Sequence, residues 1–296
     1  MTLTSTGTQV RATAAGLWVP GGSDGLLQDL LSGRPRQPGL RQRADPPDRP
    51  EQVAVRAWRR MSRLTRMVLA TATPLLVDRD DRVRIAVVWG NCLGELVPIS
   101  RFLERLYSEG PKAVSPLNFQ NSVNNAPVGH LSLALKLHGP SETLSAGGAT
   151  GAAALMRGID LLRLGIADSV LVIAGDDLNA TSEAAWELHG HTGVLGEAIA
   201  AIVLERQGDG PRVEVGVGIS PVDGAPLFAR QALLPGESAL TEIDGSVAPE
   251  ACLGLVPSGG LAVLAAMVQS GRAGSLIERD GEMVLTASVM DERMAG

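Results

Sequence analysis

The stretch "SETLSAGGATGAAALMRGIDLLRLGIADSVLVIAG", Ser141 to Gly175, restricts the fold more than any other part of the chain. It opens as a short strand, turns at a pair of glycines and continues as an amphipathic, alanine-rich helix from Ala149 to Leu164. The apolar run Asp168 to Gly175 then reads as a buried strand. Strand, helix and strand in this order make one crossover unit of an α/β sheet. The first junction carries chemical meaning, because free N–H groups at a helix N-terminus commonly hold an anion or present a nucleophile. The position that should carry the reactive side chain is Gly148.

The alternation continues on both sides. Gln9 to Val19 reads as a small-residue strand, and Ser23-Asp24 can cap a short helix through Leu31. "RPRQPGLRQRADPPDRPEQ" is proline-rich, with mixed charge, and reads as a loop. Trp58, Met61, Leu64, Val68 and Leu69 recur at helical spacing and predict a helix within Val53 to Leu76. Arg84 to Gly90 reads as a strand and Glu95 to Glu109 as a helix. Beyond the central unit, a helix is expected from Asn179 to Leu188, and strands at Glu197 to Glu205 and in "RVEVGVGIS". Pro221 to Pro249 reads as an irregular connection, followed by a helix at Gly259 to Ser270 and the strand "EMVLTASV". This pattern implies a mostly parallel sheet covered on both faces.

Composition narrows the function. The 296 residues can bury a substantial core, and 45% hydrophobic with 20% charged residues fits a soluble globular chain. A net charge of -6 gives no electrostatic footprint for nucleic acid or an anionic membrane. Basic residues do gather between Arg34 and Arg66, but acids and prolines interrupt them, as in a solvated face. Cys92 and Cys252 make neither a disulfide framework nor a metal site. No apolar run approaches the ~18 residues of a membrane span, and the N-terminus lacks the pattern of a signal peptide. A cytoplasmic protein is the expectation.

The order of motifs resembles the bacterial β-ketoacyl synthases, the condensing enzymes of fatty-acid and polyketide assembly. "AAGLWVPGG", "LLQDLLSGR" and "RRMSRLTRMVLATA" are similar to that family's opening strand, first helix and Arg-rich long helix. "VNNAPVGHLSLALKLHGPSETLSAGGATG" is similar to the approach to its nucleophile elbow, and "TGVLGEAIAAIVLER" to its "G-E-G-A" hairpin region. The resemblance implies a thiolase-like α/β/α/β/α fold with an abbreviated second half. It treats residues 1–296 as one ketosynthase-like domain, with 1–206 matched best and 207–296 forming the shortened half. Within the family, the short domains found beside type II polyketide and aryl-polyene enzymes are the most similar.

The departures fall on the chemistry. In this register the nucleophilic cysteine is replaced by Gly148. The family's "HGTGT" motif has no counterpart between Ser220 and Val247. The second histidine motif aligns with "PEACLGLVPSGG", which puts Pro249 at the lysine and Gly254 at the histidine. The terminal "GFGG" loop is replaced by "TASVMDER". Acyl transfer needs a thiolate, and decarboxylation needs donors that stabilise an enolate. The expectation is therefore a catalytically inactive subunit comparable to a chain-length factor, although such subunits usually carry glutamine at the nucleophile position. It would act as a homodimer or beside a ketosynthase and meet an acyl carrier protein; no cofactor or metal is implied.

The alternative is a repurposed acyltransferase or hydrolase acting on a carrier-bound acyl chain. Its candidate residues are Cys92 in "GNCLGE", Asp176 after the buried strand, and His189 and His191 in "HGHTG". Each also has a plain reading. Cys92 fits a structural thiol, and Asp176 with Asp177 fits helix capping and solvated loop charge. The two histidines lack a third ligand and fit a surface loop. Ser145 and Ser258 have no base in their sequence context, and His130 and His138 flank an apolar helix as packing or interface residues.

Overall fold

The computed structural model describes residues 4–5, 10–22, 24–26, 41–81, 84–188, 195–219, 228–233, 240–243, 260–280 and 283–290. The strands are β1 Thr4–Ser5, β2 Val10–Trp18, β3 Arg41–Gln42, β4 Ile85–Gly90, β5 Ser141–Leu144, β6 Ser169–Asp176 and β7 Leu195–Gly196. They continue with β8 Ala198–Glu205, β9 Arg212–Ile219, β10 Phe228–Leu233, β11 Leu240–Ile243, β12 Gly274–Asp280 and β13 Met283–Met290. The helices are α1 Val55–Trp58, α2 Arg63–Leu76, α3 Leu96–Glu109, α4 Pro116–Gln120, α5 Ala126–Leu135, α6 Thr150–Arg163, α7 Ala180–Leu188 and α8 Gly260–Ser270.

Ten strands run in the order β11-β10-β12-β13-β9-β2-β8-β6-β4-β5, and β1 adds to β9. Among the described residues only β4 pairs in parallel within this sheet, with β5 on one side and β6 on the other. All its other ladders are antiparallel. The mostly parallel sheet expected from the alternation is thus corrected. Crossover helices give parallel pairing around β4, whereas β8 runs antiparallel to β6 and β2 and the second half contains directly connected antiparallel strands such as β12 and β13.

Period-two alternation along the first-half strands splits the core. Ile85, Val87 and Trp89 of β4, with Leu171, Ile173, Ile199 and Ala201, pack on Met67, Val68 and Leu131 from α2 and α5. Ala86, Val88, Val170, Val172 and Ile202 face the other way, onto Leu155 and Ile159 of α6 and Leu261 to Met267 of α8. The same core is closed from beyond by Val213, Val215, Leu276, Ala287 and Val289 of the second half. The layers are therefore helix, sheet, helix, sheet. Among the described residues no helix packs as a fifth layer; the outward positions Glu214, Thr286 and Ser288 are polar and half-buried instead.

Three further differences have local causes. The helix expected across Val53 to Leu76 is broken, because Ser62 is extended and accepts the N–H of Thr65, starting α2 afresh. The irregular connection at Pro221 to Pro249 contains β10 and β11, and β12 was not anticipated. Most of the short helix expected through Leu31 lies outside the described residues.

Candidate functional site

The C-terminal ends of β4, β5 and β6 converge, which is where open α/β sheets place ligands. Three loops leave this edge: Asn91 to Glu95 after β4, Ser145 to Ala149 after β5, and Asp177 to Asn179 after β6. Asn91 donates its N–H to Leu144 O at 3.2 Å and so joins the first two loops. Its side chain is fully buried, and neither amide atom has a partner among the described residues.

The β5 exit is a tight elbow. Gly147 adopts φ 49°, a left-handed conformation that favours glycine, and opens a short 3-10 turn, Gly147–Ala149. Thr150 locks the turn: its Oγ1 accepts the N–H of Ala146 at 2.9 Å and donates to Gly147 O at 2.7 Å. Gly148 is buried inside the turn, one residue before the N-cap of α6, and its φ is not left-handed. The glycine pair therefore divides its work. Gly147 makes the bend, and Gly148 occupies the place where a side chain would lead into the helix.

Asp176 and Cys92 are brought together. The Asp176 carboxylate accepts backbone N–H groups from Cys92 at 2.8 Å, Leu93 at 3.0 Å and Gly94 at 2.9 Å. Asp176 and Asp177 are 1% and 5% exposed, which corrects their reading as solvated loop charge. Asp176 instead acts as an internal anchor for the neighbouring loop, because three converging N–H groups compensate its buried charge. Cys92 is half-buried. His189, His191, Pro249, Cys252, Gly254 and Ser258 lie outside the described residues. His130 is half-buried and hydrogen-bonded to Asn121 at 3.2 Å, and burial followed by the Arg60 charge lowers its pKa. His138 is exposed.

Beside these loops, α2, α3 and the Asp177 loop enclose a cavity of about 520 Å³. Its lining includes Arg59, Arg60, Arg63, Arg101, Glu95 and Asp177. Glu95 accepts hydroxyl hydrogen bonds from Ser62 at 2.6 Å and Thr65 at 2.8 Å. Burial pushes its pKa up to about 7, the hydroxyls oppose this, and the Asp177 charge adds to it. Burial likewise raises Asp177 to about 6, reinforced by Asp176. Behind them, fully buried Glu197 binds Arg63 through both oxygens, at 2.5 and 2.7 Å, and accepts the N–H groups of Ala44 and Leu178. These contacts give the "GEA" of the resembling hairpin region a physical role, that of fastening three segments. Glu95 and Glu197 were not singled out from sequence, since their partners lie 19 to 153 residues away along the chain.

A strand–elbow–helix unit, with two central helices clasped between sheet halves, defines a condensing-enzyme fold of the thiolase type. The chain belongs to the β-ketoacyl synthase N-terminal domain family, whose sequence profile matches residues 32–216. Among solved structures, it is similar to the ishigamide ketosynthase/chain length factor, at 19% identity and a TM-score of 0.69, covering 95% of this chain and 99% of that one. A ketosynthase in complex with its chain length factor from Xenorhabdus doucetiae matches at 18% identity and a TM-score of 0.61, with the same 95% and 99% coverage. A type II polyketide acyl-carrier protein in complex with its ketosynthase matches at 22% identity and a TM-score of 0.57, over 67% of this chain and 62% of that one. No curated protein sequence matches. No helix among the described residues is long and apolar enough to cross a membrane.

Proposed function

We propose that the chain is a catalytically silent, chain-length-factor-like subunit that pairs with a ketosynthase in type II polyketide, aryl-polyene or fatty-acid-type assembly. Gly148 carries this reading. It stands at the nucleophile register, buried at the entrance to the elbow helix, and offers no thiolate to accept an acyl chain. The end-to-end likeness to chains from ketosynthase/chain length factor structures supports it, because those chains share the shortened length.

Pairing has a physical basis in β5, which ends the sheet with one edge unpaired among the described residues. An exposed edge needs cover. Beside it, Gly129 lines a hollow with Ser141 and Thr143, and Leu133, one turn on along α5, is 81% exposed. An acyl carrier protein, typically acidic and carrying a phosphate-linked arm, suits the exposed Arg59, Arg60 and Arg101 at the cavity. The test is co-expression with a ketosynthase from the same source organism. A stable pair should co-purify, and the isolated chain given malonyl- and acyl-carrier protein should release neither carbon dioxide nor a β-ketoacyl product. A soluble monomer that ignores the ketosynthase, or condensation by the chain alone, would overturn the proposal.

The second reading, an acyl-transfer enzyme, rests on Cys92, a half-buried thiol at the strand ends. Mass spectrometry after incubation with acyl-carrier protein decides it: an acyl group on Cys92 would favour transfer, and an unmodified chain would remove it.

A further inference from the structure

Strand β12 buries alternate residues, and its inward positions include Leu276 and Glu278. Leu276 joins the apolar core. Glu278 points to the same side by strand geometry, so a fully buried carboxylate faces the central helices. Its Oε2 accepts the N–H of Ala152, in the first turn of α6, at 2.8 Å. The opposite oxygen reaches the start of α8, since a Cβ built on Gly260 would fall 1.7 Å from Glu278 Oε1. Between these contacts the helices themselves meet, and a Cβ on Gly151 would lie 2.6 Å from the Leu261 nitrogen. Two helix N-termini each carry roughly +0.5 charge, and unaided they would repel at this distance.

We propose that Glu278 is the resident anion of the elbow. It binds the first turns of α6 and α8 together and takes up their positive ends from within, so the elbow accepts no external carboxylate or acyl oxyanion. This rests on the reading of the chain as catalytically silent and deepens it: loss of the nucleophile at Gly148 is accompanied by internal neutralisation of the electrostatic field that a nucleophile or oxyanion would use. Removing the side chain should leave a site for a small carboxylate such as formate or acetate.

The test uses the intact chain, with thermal melting of wild type, Glu278→Ala and Glu278→Gln in sodium formate and in sodium chloride at equal ionic strength. Wild type should melt at the same temperature in both salts. Glu278→Ala should melt at least ~4 °C lower in chloride and recover half or more of that loss in formate, saturably. Glu278→Gln fills the space without the charge, so it should melt below wild type and gain nothing from formate. An alanine variant as stable as wild type, or one responding equally to both salts, overturns the proposal, as does a formate response in wild type. If the alanine variant does not fold in either salt, the glutamine variant decides alone: melting at or above wild type refutes the resident anion. Failure of ketosynthase pairing would strike the functional reading and leave these melts unaffected.

Discussion

Asp176 Oδ2 lies 2.8 Å from the backbone nitrogen of Cys92, so a carboxylate at the end of one parallel strand holds the loop that leaves its neighbour. With Leu93 and Gly94 also donating, the side chain replaces the solvent that this turn of backbone lacks. Asp176→Ala would leave three N–H groups without their acceptor and should cost about 3–5 kcal/mol, whereas Asp176→Asn, which keeps a carbonyl acceptor, should cost about 1–3 kcal/mol. Thermal or urea unfolding measures both, and thiol labelling should show Cys92 reacting faster in the alanine variant. An alanine variant melting with wild type would mean that the loop holds itself.

The pH dependence of stability should carry the mark of Glu95. Its folded pKa of about 7 lies above the ordinary 4.5 of a glutamate because of burial. Folding therefore favours the protonated form. The stabilising contribution is complete below pH 4.5, declines as pH rises, and is lost once the pH passes about 7. A shift of this size corresponds to about 3 kcal/mol. Asp177 acts in the same sense between 3.8 and about 6. Glu95→Gln keeps an acceptor for the Ser62 and Thr65 hydroxyls without a titratable group. It should flatten the stability profile between pH 5 and 8 and raise stability at pH 8 by about 1–3 kcal/mol. Parallel profiles for variant and wild type would show that Glu95 is already solvated.

These two sites mark how far the sequence can be read. The crossover unit, Ser141 to Gly175, was legible because its apolar spacing changes from period two to helical and back, and the motif order added the fold. Asp176 was visible as a candidate from its place after a buried strand. Its burial was not, since the three donors come from a loop more than eighty residues earlier in the chain. Glu278 had a local signal, a charged residue in the inward register of Leu276. That signal could be read only once β12 was known to be a strand. The parallel-sheet expectation failed because alternation fixes the pairing of crossover strands and says nothing of the antiparallel strands that follow.

The elbow glycines should separate under substitution. Gly147 has φ 49°, so Gly147→Ala should cost about 1 kcal/mol or more through backbone strain. Gly148 carries no such constraint, and Gly148→Cys should fold with its thiol near the N-terminus of α6. A bare helix N-terminus would lower the pKa of that thiol. With Glu278 taking up the positive end of α6, the thiol should alkylate no faster than an ordinary cysteine, and faster when Glu278→Gln is added. Condensation should remain absent, since one substitution restores no enolate-stabilising histidine. Melting and alkylation distinguish the two glycines, and robust condensation by Gly148→Cys would show that the missing histidines have been supplied from elsewhere.

The proposed pairing with a ketosynthase should depend on the outer edge of β5. Pro140 and Leu144 give their carbonyls to Val87 and Asn91. By the alternation of a parallel ladder, residues 140, 142 and 144 face β4, and Thr143 presents its N–H and C=O to the open edge. Thr143→Pro removes that outward N–H and leaves the β4 ladder intact, which is why proline is tolerated on edge strands. The variant should melt within a few degrees of wild type while losing co-purification with the ketosynthase. Lysine at the same position should weaken pairing less at high salt than at low salt, because screening relieves a misplaced charge and cannot restore a missing donor. If Thr143→Pro pairs normally, the interface lies elsewhere. The stripe Ile99, Leu103 and Tyr107, exposed along one side of α3, is then the next surface to substitute.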